Sequence, residues 1–395
     1  MKLFIAIVCL GCMFMGVAQR TFETGKIIDS ILVSNSTNET FTLYLPSSFD
    51  QSALSPILII FEPGGRGKIG INAFVEASEK YGHILVCSND AKNGPYERNF
   101  NIANRLFAHV FSNFNVGENQ IYLAGFSGGA RLASAIAAIT DKMTGVIACG
   151  AGFSNVYAHR PTYQDFSYVA ICGNRDMNYR EIINVKGYLD KLNFDHTLIT
   201  YEGNHSWPSS EQILKAFDWL NIRSHVKGYQ TKRTETIHKS YQSNWLLARK
   251  AETEEKWLDA EEGYSRLIKT YASFFEVDTV EQRLKLLQKK PAYKKLVKSR
   301  TKALKLESKL SDTFHNRLSQ DFSVPQKVDM DWWKQEMGSL EKMRSSSDPE
   351  LVKMAERVRF MVFAIAYEKN AMDNLGDAQK KLSEQLRELV YPKHK

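Results

Sequence analysis

Short β-branched runs alternate with longer amphipathic stretches between residues 27 and 224. This alternation is typical of a mostly parallel sheet covered by helices, because parallel strands need a connection long enough to hold a helix. The run at residues 56–61 is apolar at every position, as expected of a central strand that is buried on both faces. The pattern therefore predicts one α/β domain built on a mostly parallel sheet.

The number of apolar runs fits an eight-stranded sheet. The first two runs are joined by a polar turn, Asn35 to Asn38, without a helix, which predicts an antiparallel pair. Strands are predicted at 27–33, 40–45, 56–61, 83–87, 120–124, 145–149, 167–172 and 197–201. Helices are predicted near 70–80, 100–114, 129–140, 179–192 and 210–224.

The pattern changes after Arg223. Strand-like runs vanish, Gly and Pro become sparse, and apolar residues recur at helical spacing. This predicts an α/β domain at residues 19–225 and a separate all-α domain of four to six helices at residues 226–395. From Val226 onward there are 34 Lys and Arg against 25 Asp and Glu, so the net positive charge belongs to the helical region. That charge could bind an anionic surface or polysaccharide, or simply coat solvated helix faces.

The first 18 residues have the three zones of a secretory signal peptide. Met1 and Lys2 precede an apolar run at residues 3–17, and the small residues near Ala18 suit cleavage after that position. The run is shorter than the roughly 20 residues of a membrane-spanning helix. The sequence therefore predicts a secreted or periplasmic protein without a transmembrane segment. Three cysteines remain after cleavage, and we expect buried thiols rather than disulfides: Cys87, Cys149 and Cys172.

The pentapeptide at residues 125–129, Gly-Phe-Ser-Gly-Gly, follows an apolar run and precedes a helix-like segment. A serine on a sharp strand-to-helix turn needs small neighbours, because the strand and the helix pass close together there. The turn places the hydroxyl at a helix N-terminus, where backbone amides point towards developing negative charge. Ser127 is therefore the predicted nucleophile.

Two further residues complete a catalytic triad in the order typical of α/β-hydrolases, which is serine, acid, histidine. Asp176 follows the apolar run at 167–172, and His205 follows the next run along the chain. His205 is the predicted general base, and Asp176 is predicted to orient its imidazole and stabilise the imidazolium. Each of the three residues follows a predicted strand, so the triad would assemble at one edge of the sheet.

Substrate contacts are predicted on the neighbouring loops. The oxyanion is expected to bind the amide of Gly128 and one from the loop at 62–67, either Gly65 or Gly64 or the adjacent Arg66. Three side chains could shape the pocket or merely stabilise their loops: Asn89, Asn93 and Trp207.

The stretches at 88–95, 120–131 and 203–208, the last with a His-x-Trp-Pro sequence, resemble the polyhydroxybutyrate depolymerase and feruloyl esterase group of α/β-hydrolases. The resemblance covers about residues 25–225 and implies an extracellular ester hydrolase that uses Ser127, Asp176 and His205. The chain differs from the group in having Glu62-Pro63 where many members carry His-Gly.

Three functions compete on this evidence. The first is a carboxylic ester hydrolase acting on a small-molecule or polymeric ester, the second a serine peptidase of the same fold, and the third a binding protein that uses the fold as a scaffold. The sequence shows no cofactor or metal motif and no nucleic-acid-binding module. We therefore expect cofactor-free hydrolysis.

Overall fold

The structure is a computed structural model that describes residues 22–230, 234–370 and 375–392. The predicted signal peptide lies outside these ranges. Within the described ranges, eight strands form a single sheet. They are β1 Ile27–Leu32, β2 Thr40–Tyr44, β3 Ser55–Phe61, β4 Ile84–Ser88, β5 Val116–Phe126, β6 Gly145–Cys149, β7 Ser167–Gly173 and β8 His196–Tyr201.

The strand order is β1-β2-β4-β3-β5-β6-β7-β8. Strand β2 pairs antiparallel with both β1 and β4, and the remaining pairs are parallel. The predicted antiparallel pair and the predicted mostly parallel sheet are therefore confirmed. Because β3 and β5 are neighbours at the centre, the loops that follow them lie side by side at the carboxyl edge of the sheet.

Helices cover both faces of the sheet. They are α1 Gly67–Asn72, α2 Val75–Tyr81, α3 Tyr96–Asn113, α4 Gly128–Thr140, α5 Tyr179–Lys191 and α6 Ser210–Val226. One core contains α3, α4 and α5, and the other contains residues of α1, α2 and α6. The single helix predicted near 70–80 is two short helices that meet at Ala73 and Phe74. Cys87, Cys149 and Cys172 are free, buried thiols, as predicted.

Seven helices follow in the described part of the chain, one more than the upper end of the prediction. They are α7 Thr234–Thr253, α8 Trp257–Tyr271, α9 Asp278–Lys289, α10 Pro291–Ser323, α11 Met330–Arg344, α12 Pro349–Asn370 and α13 Asp377–Val390. The prediction missed the break before Trp257, where Glu255 adopts a positive φ of 56° without a glycine. It also missed the break at Pro291, which begins α10 directly after α9 because proline suits the first turn of a helix.

The described part of the helical region has two cores and packs against the sheet domain. Helices α7 to α9 pack around Tyr264 with Ile222 of α6, and α10 to α13 pack around Trp333. Helix α8 covers the free edge of β8, where the Glu262 carboxylate accepts hydrogen bonds from the Thr200 amide at 3.1 Å and its hydroxyl at 2.8 Å. Side-chain partners of this kind block further strand pairing. None of the helices in the described ranges has both the length and the apolar character needed to cross a bilayer.

Candidate active site

Ser127 lies between β5 and α4, in the strained backbone conformation expected of a nucleophile on a sharp turn. Its φ is 52° and its ψ is −119°, and its amide donates to the Cys149 carbonyl at 2.8 Å. A Cβ atom on Gly125 would lie 2.3 Å from the Gly129 carbonyl oxygen, and one on Gly129 would lie 2.0 Å from the Phe61 carbonyl oxygen. The flanking glycines are therefore required by the close passage of strand and helix.

We predict that Gly129→Ala destabilises the protein by about 3 kcal/mol, because the methyl group would displace the backbone of β3 or α4. Denaturant unfolding of the two proteins measures the change. Gly338→Ala is the matched control, since Gly338 is exposed within α11 and a Cβ there meets nothing within 4 Å. It is expected to be neutral or stabilising by up to about 1 kcal/mol. Equal stability of Gly129→Ala and the native chain would contradict this close packing.

The structure brings Ser127, His205 and Asp176 together. His205 Nε2 lies 3.1 Å from Ser127 Oγ, and His205 Nδ1 lies 2.9 Å from both carboxylate oxygens of Asp176. Because a carboxylate only accepts, Nδ1 carries the proton and Nε2 is left to accept the serine proton. Asp176 is fully buried, and its Oδ1 also accepts from the Asn178 amide at 2.8 Å. The arrangement suits proton transfer from Ser127 to His205.

The loops that carry Asp176 and His205 are joined by backbone hydrogen bonds. The Asn174 amide donates to the Tyr201 carbonyl at 2.8 Å, and the Arg175 amide donates to the Gly203 carbonyl at 2.9 Å. A Cβ on Gly173 would lie 2.3 Å from the Gly203 carbonyl oxygen, so glycine is needed where the loops touch. These contacts fix the separation of acid and base before a substrate binds.

Trp207 packs behind the loop that carries His205. Its ring lies 5.7 Å from that of Phe74 and 5.3 Å from that of Phe126, and the Phe126 ring lies 4.7 Å from the His205 imidazole. Trp207 is partly buried and packs against the core behind His205, where it supports the loop.

The other two predicted pocket residues have different surroundings. Asn89 holds the loops of the sheet edge, since its Nδ2 donates to Asp29 at 3.1 Å and to Thr40 at 3.0 Å. Its Oδ1 accepts from the Gly67 amide and the Thr42 hydroxyl. Of the two interpretations open from the sequence, the loop-stabilising one describes Asn89. Asn93 instead faces Gly128, one residue after the nucleophile.

The predicted oxyanion donors differ in whether their amides already have hydrogen-bond partners. Gly128 is the first residue of α4, and its amide has no hydrogen-bond partner within the described residues. In contrast, the Gly64 amide donates to the Glu62 carboxylate at 2.7 Å, and the Gly65 amide donates to the Glu62 carbonyl at 3.0 Å. Gly128 is thus free to bind an oxyanion, whereas Gly64 and Gly65 already have partners.

Helix α12 contributes contacts that sequence reasoning missed. The ring of Phe360 lies 5.8 Å from the His205 imidazole. Arg357 donates to the Asn174 carbonyl at 2.7 Å, and Glu356 pairs with Arg175 at 2.7 Å. These positions share one face of the helix, but their spacing is that of any amphipathic helix and carries no motif. The helical region therefore contacts both loops that carry the acid and the base.

A cavity of about 610 Å³ lies between these loops and the helical region, and Asn204, the residue before His205, is part of its lining. Its walls are mainly charged, with two aromatic rings. The lining includes Arg175, Glu202, Asn204, Arg344, Glu356, Arg359, Phe360 and Tyr391. The described residues contain no group of three or more His, Cys, Asp or Glu side chains able to hold a metal ion.

The strand order, the helices on both faces and the strained serine turn define the α/β-hydrolase fold, followed here by an all-α region. No protein-family model matches the sequence, and no curated protein matches it.

Several solved hydrolase structures are similar over about half of the chain. An S-formylglutathione hydrolase from Staphylococcus aureus is 16% identical, covers 49% of this chain and 96% of its own, and has a TM-score of 0.42. An esterase from Butyrivibrio proteoclasticus is 13% identical, with coverages of 51% and 99% and a TM-score of 0.40. An acylaminoacyl peptidase from Pyrococcus horikoshii is 13% identical, with coverages of 52% and 41% and a TM-score of 0.40. The fold assignment rests on the strand order and the serine turn rather than on these similarities.

Proposed function

We propose that the protein is a secreted serine hydrolase that cleaves carboxylic esters through an acyl-enzyme. The observation that carries the proposal is the hydrogen-bonded series from Ser127 through His205 to the buried Asp176. No metal or cofactor is needed for this chemistry, because the nucleophile, the base and an amide donor at Gly128 are all supplied by the chain.

In the first half of the reaction, Ser127 Oγ attacks the ester carbonyl carbon while His205 Nε2 takes the hydroxyl proton. The carbonyl oxygen becomes an oxyanion, which the Gly128 amide stabilises. When the tetrahedral intermediate collapses, the bond to the alcohol oxygen breaks and His205 returns the proton to that oxygen. Water then attacks the acyl-enzyme with His205 again as base, which releases the acid and restores Ser127.

Ester cleavage is favoured over peptide cleavage because the charged side chains near the site are engaged with other residues of the chain. A peptidase that binds a substrate terminus needs an unpaired charge, and the candidate side chains on the loops near the site are those of Arg66, Arg98 and Glu62. The Glu62 carboxylate binds the Arg66 side chain, with Nε at 3.1 Å. Arg98 donates to the Lys92 carbonyl at 3.3 Å and to the Asn99 side chain at 3.0 Å. Glu62 and Arg66 are paired with each other, so neither has a free charge for a peptide terminus. Arg98 keeps its charge but is held by neutral acceptors on neighbouring residues.

The experiment that separates the two activities compares matched leaving groups. Purified protein is assayed on p-nitrophenyl acetate and on p-nitroacetanilide, which share the acyl group and differ in the bond that is cleaved. We expect turnover of the ester above its rate in buffer and no detectable turnover of the anilide. Cleavage of the anilide, or of a set of peptides, at a comparable kcat/KM would favour the peptidase instead.

The cavity beside His205 is suited to the alcohol part of the substrate. The alcohol must leave on the side of His205, because this residue protonates it. The cavity is lined by Asn204, the residue before His205, and by Phe360, whose ring lies 5.8 Å from the imidazole. Charged walls with two aromatic rings suit a polar, bulky alcohol such as a sugar. A secreted enzyme with such a site would act on acylated sugars or on polymeric esters carrying hydroxyl groups.

Phe360→Ala is expected to lower kcat/KM for an ester of a bulky alcohol by about 5–10-fold, since an aromatic contact contributes about 1 kcal/mol. The methyl ester of the same acid should change by less than about twofold, because methanol does not reach the cavity. Steady-state kinetics on the two esters measures the difference. Phe111→Ala is the control, because Phe111 is exposed on α3 and should leave both values unchanged. Equal losses on both esters would place Phe360 outside the alcohol site.

A further inference from the structure

An oxyanion formed at Ser127 needs more than one hydrogen-bond donor, and the loop after β3 does not offer one. Pro63 has no N–H. The Gly64 and Arg66 amides donate to Glu62 Oε2 at 2.7 and 3.0 Å, and the Gly65 amide donates to the Glu62 carbonyl at 3.0 Å. The next amide, that of Gly67, donates to Asn89 Oδ1 at 3.1 Å. Every N–H from residue 63 to residue 67 is therefore already engaged.

Glu62 is not easily displaced from these amides. Its side chain is completely buried, and its carboxylate also binds the Arg66 guanidinium. Releasing the amides of Gly64 and Arg66 towards a substrate would leave a buried carboxylate with fewer donors, which is costly. The donor that complements Gly128 must come from elsewhere in the site.

The side chain of Asn93 occupies the place beside Gly128. A Cβ built on Gly128 would lie 1.9 Å from Asn93 Oδ1, 2.9 Å from Cγ and 3.4 Å from Nδ2, and no other heavy atom is nearer. The Asn93 loop is held against the loop after β3, because the Asn93 amide donates to the Pro63 carbonyl at 2.8 Å and Lys92 bridges Gly64. Glu62, Pro63, Asn93 and Gly128 also border one cavity of about 70 Å³.

The amide group of Asn93 is available for a ligand. It is exposed, and within the described residues its side chain makes no hydrogen bond. The χ2 torsion of asparagine is soft and nearly two-fold, so the NH₂ group can take the position of the oxygen at little cost. An N–H would then point into the space beside the Gly128 amide.

We propose that the Asn93 side-chain amide is the second oxyanion donor and acts together with the Gly128 amide. The proposal rests on the proposed function, because it concerns the same attack by Ser127 on an ester carbonyl. As the carbonyl π electrons move onto oxygen, Asn93 N–H and Gly128 N–H donate to that oxygen. They release it when the carbonyl re-forms and the alcohol leaves with the proton from His205. Side-chain amides serve this purpose well when they are held in place before the reaction.

The test is the kinetics of Asn93→Ala on p-nitrophenyl acetate. We expect kcat to fall by about 100- to 1000-fold while KM changes by less than about threefold, because the interaction forms only in the transition state. Asn93→Asp should be at least as slow, since its carboxylate would repel the oxyanion. Glu97→Ala, an exposed position in the first turn of α3, is the control and should match the native rate. A kcat for Asn93→Ala within threefold of the native value, or a loss confined to KM, would overturn the proposal.

A second pair of variants tests the position of Asn93 without removing it. Gly128→Ala keeps the Gly128 amide, but its methyl group would collide with the Asn93 side chain. It should therefore lose a similar factor in kcat, and the double variant Asn93→Ala/Gly128→Ala should be no slower than Asn93→Ala alone. If the loss of kcat in the double variant equalled the product of the two single losses, the two substitutions would not act through the same Asn93 side chain. The two claims fail separately. If Asn93→Ala keeps the native kcat, only the role of Asn93 is wrong, whereas if Ser127→Ala keeps the native kcat, the proposed function itself is wrong.

Discussion

Ser127→Ala is expected to lower kcat/KM on a short-chain ester by about 10⁴- to 10⁶-fold, because the variant can form no acyl-enzyme. The small residual rate would come from the remaining oxyanion donors and from binding. Folding should be unchanged, since the hydroxyl's hydrogen bond is to His205 and the Ser127 amide keeps its bond to Cys149. Steady-state kinetics and thermal unfolding of the two proteins measure both quantities.

His205→Ala is the companion variant for this prediction. Because the serine, the base and the acid act as one unit, we expect its loss to be of the same order as that of Ser127→Ala, and the double variant to be no slower than either. Residual activity of Ser127→Ala within tenfold of the native chain would mean that another group carries the reaction.

The second large effect is on stability and arises where the two parts of the chain meet. Arg357 on α12 and Glu307 on α10 are both buried, with Arg357 Nε 2.9 Å and Nη2 2.5 Å from Glu307 Oε2. Arg357 also donates to the Asn174 carbonyl and lies 4.9 Å above the ring of Tyr179. One side chain thus joins α10, α12, the start of α5 and the loop that carries Asp176.

Arg357→Ala is expected to cost about 3–5 kcal/mol of unfolding free energy, because it leaves the Glu307 carboxylate buried without its partner. Burial already raises the pKa of Glu307, and loss of Arg357 removes the charge that opposes this. The folded variant then binds this proton more tightly than the unfolded chain does, so its stability falls as the pH rises through the raised pKa. The loss of unfolding free energy in Arg357→Ala, relative to the native chain, should therefore be larger at neutral pH than at acidic pH.

The matched control replaces both partners. Arg357→Met with Glu307→Leu removes the stranded charge and should recover most of the lost stability. Denaturant unfolding at two pH values measures the native chain, Arg357→Ala and the double variant. If Arg357→Ala were as stable as the native chain at neutral pH, this buried pair would not hold the two parts of the chain together.

Much of the sheet domain could be predicted because each strand is a short apolar run bounded by polar turns. The strand at 145–149, for example, lies where it was predicted, since both of its faces are buried and every residue is apolar or small. Asp176 and His205 were predicted for the same reason, as each is the first ionisable side chain of its type beyond such a run. The fold then brings both within hydrogen-bond distance in one series with Ser127.

What could not be predicted depends on contacts between distant segments. Nothing in the pattern of α12 indicates that Phe360 lies against His205, because charged and aromatic residues at helical spacing suit a solvated helix equally well. The role of Glu62 was equally hidden, since its hydrogen bonds to Gly64 and Arg66 depend on the shape of the loop. The breaks at Glu255 and Pro291 were missed because neither is accompanied by a glycine, and the charged residues beside them also suit an exposed helix face.

The most direct test of the central claim is labelling with a fluorophosphonate, which reacts with an activated serine, followed by mass spectrometry of the modified peptide. The account predicts one adduct on Ser127, no adduct in Ser127→Ala, and labelling slowed by at least about 100-fold in His205→Ala, where the base is missing. An adduct on another serine, or labelling that persists in Ser127→Ala, would contradict it.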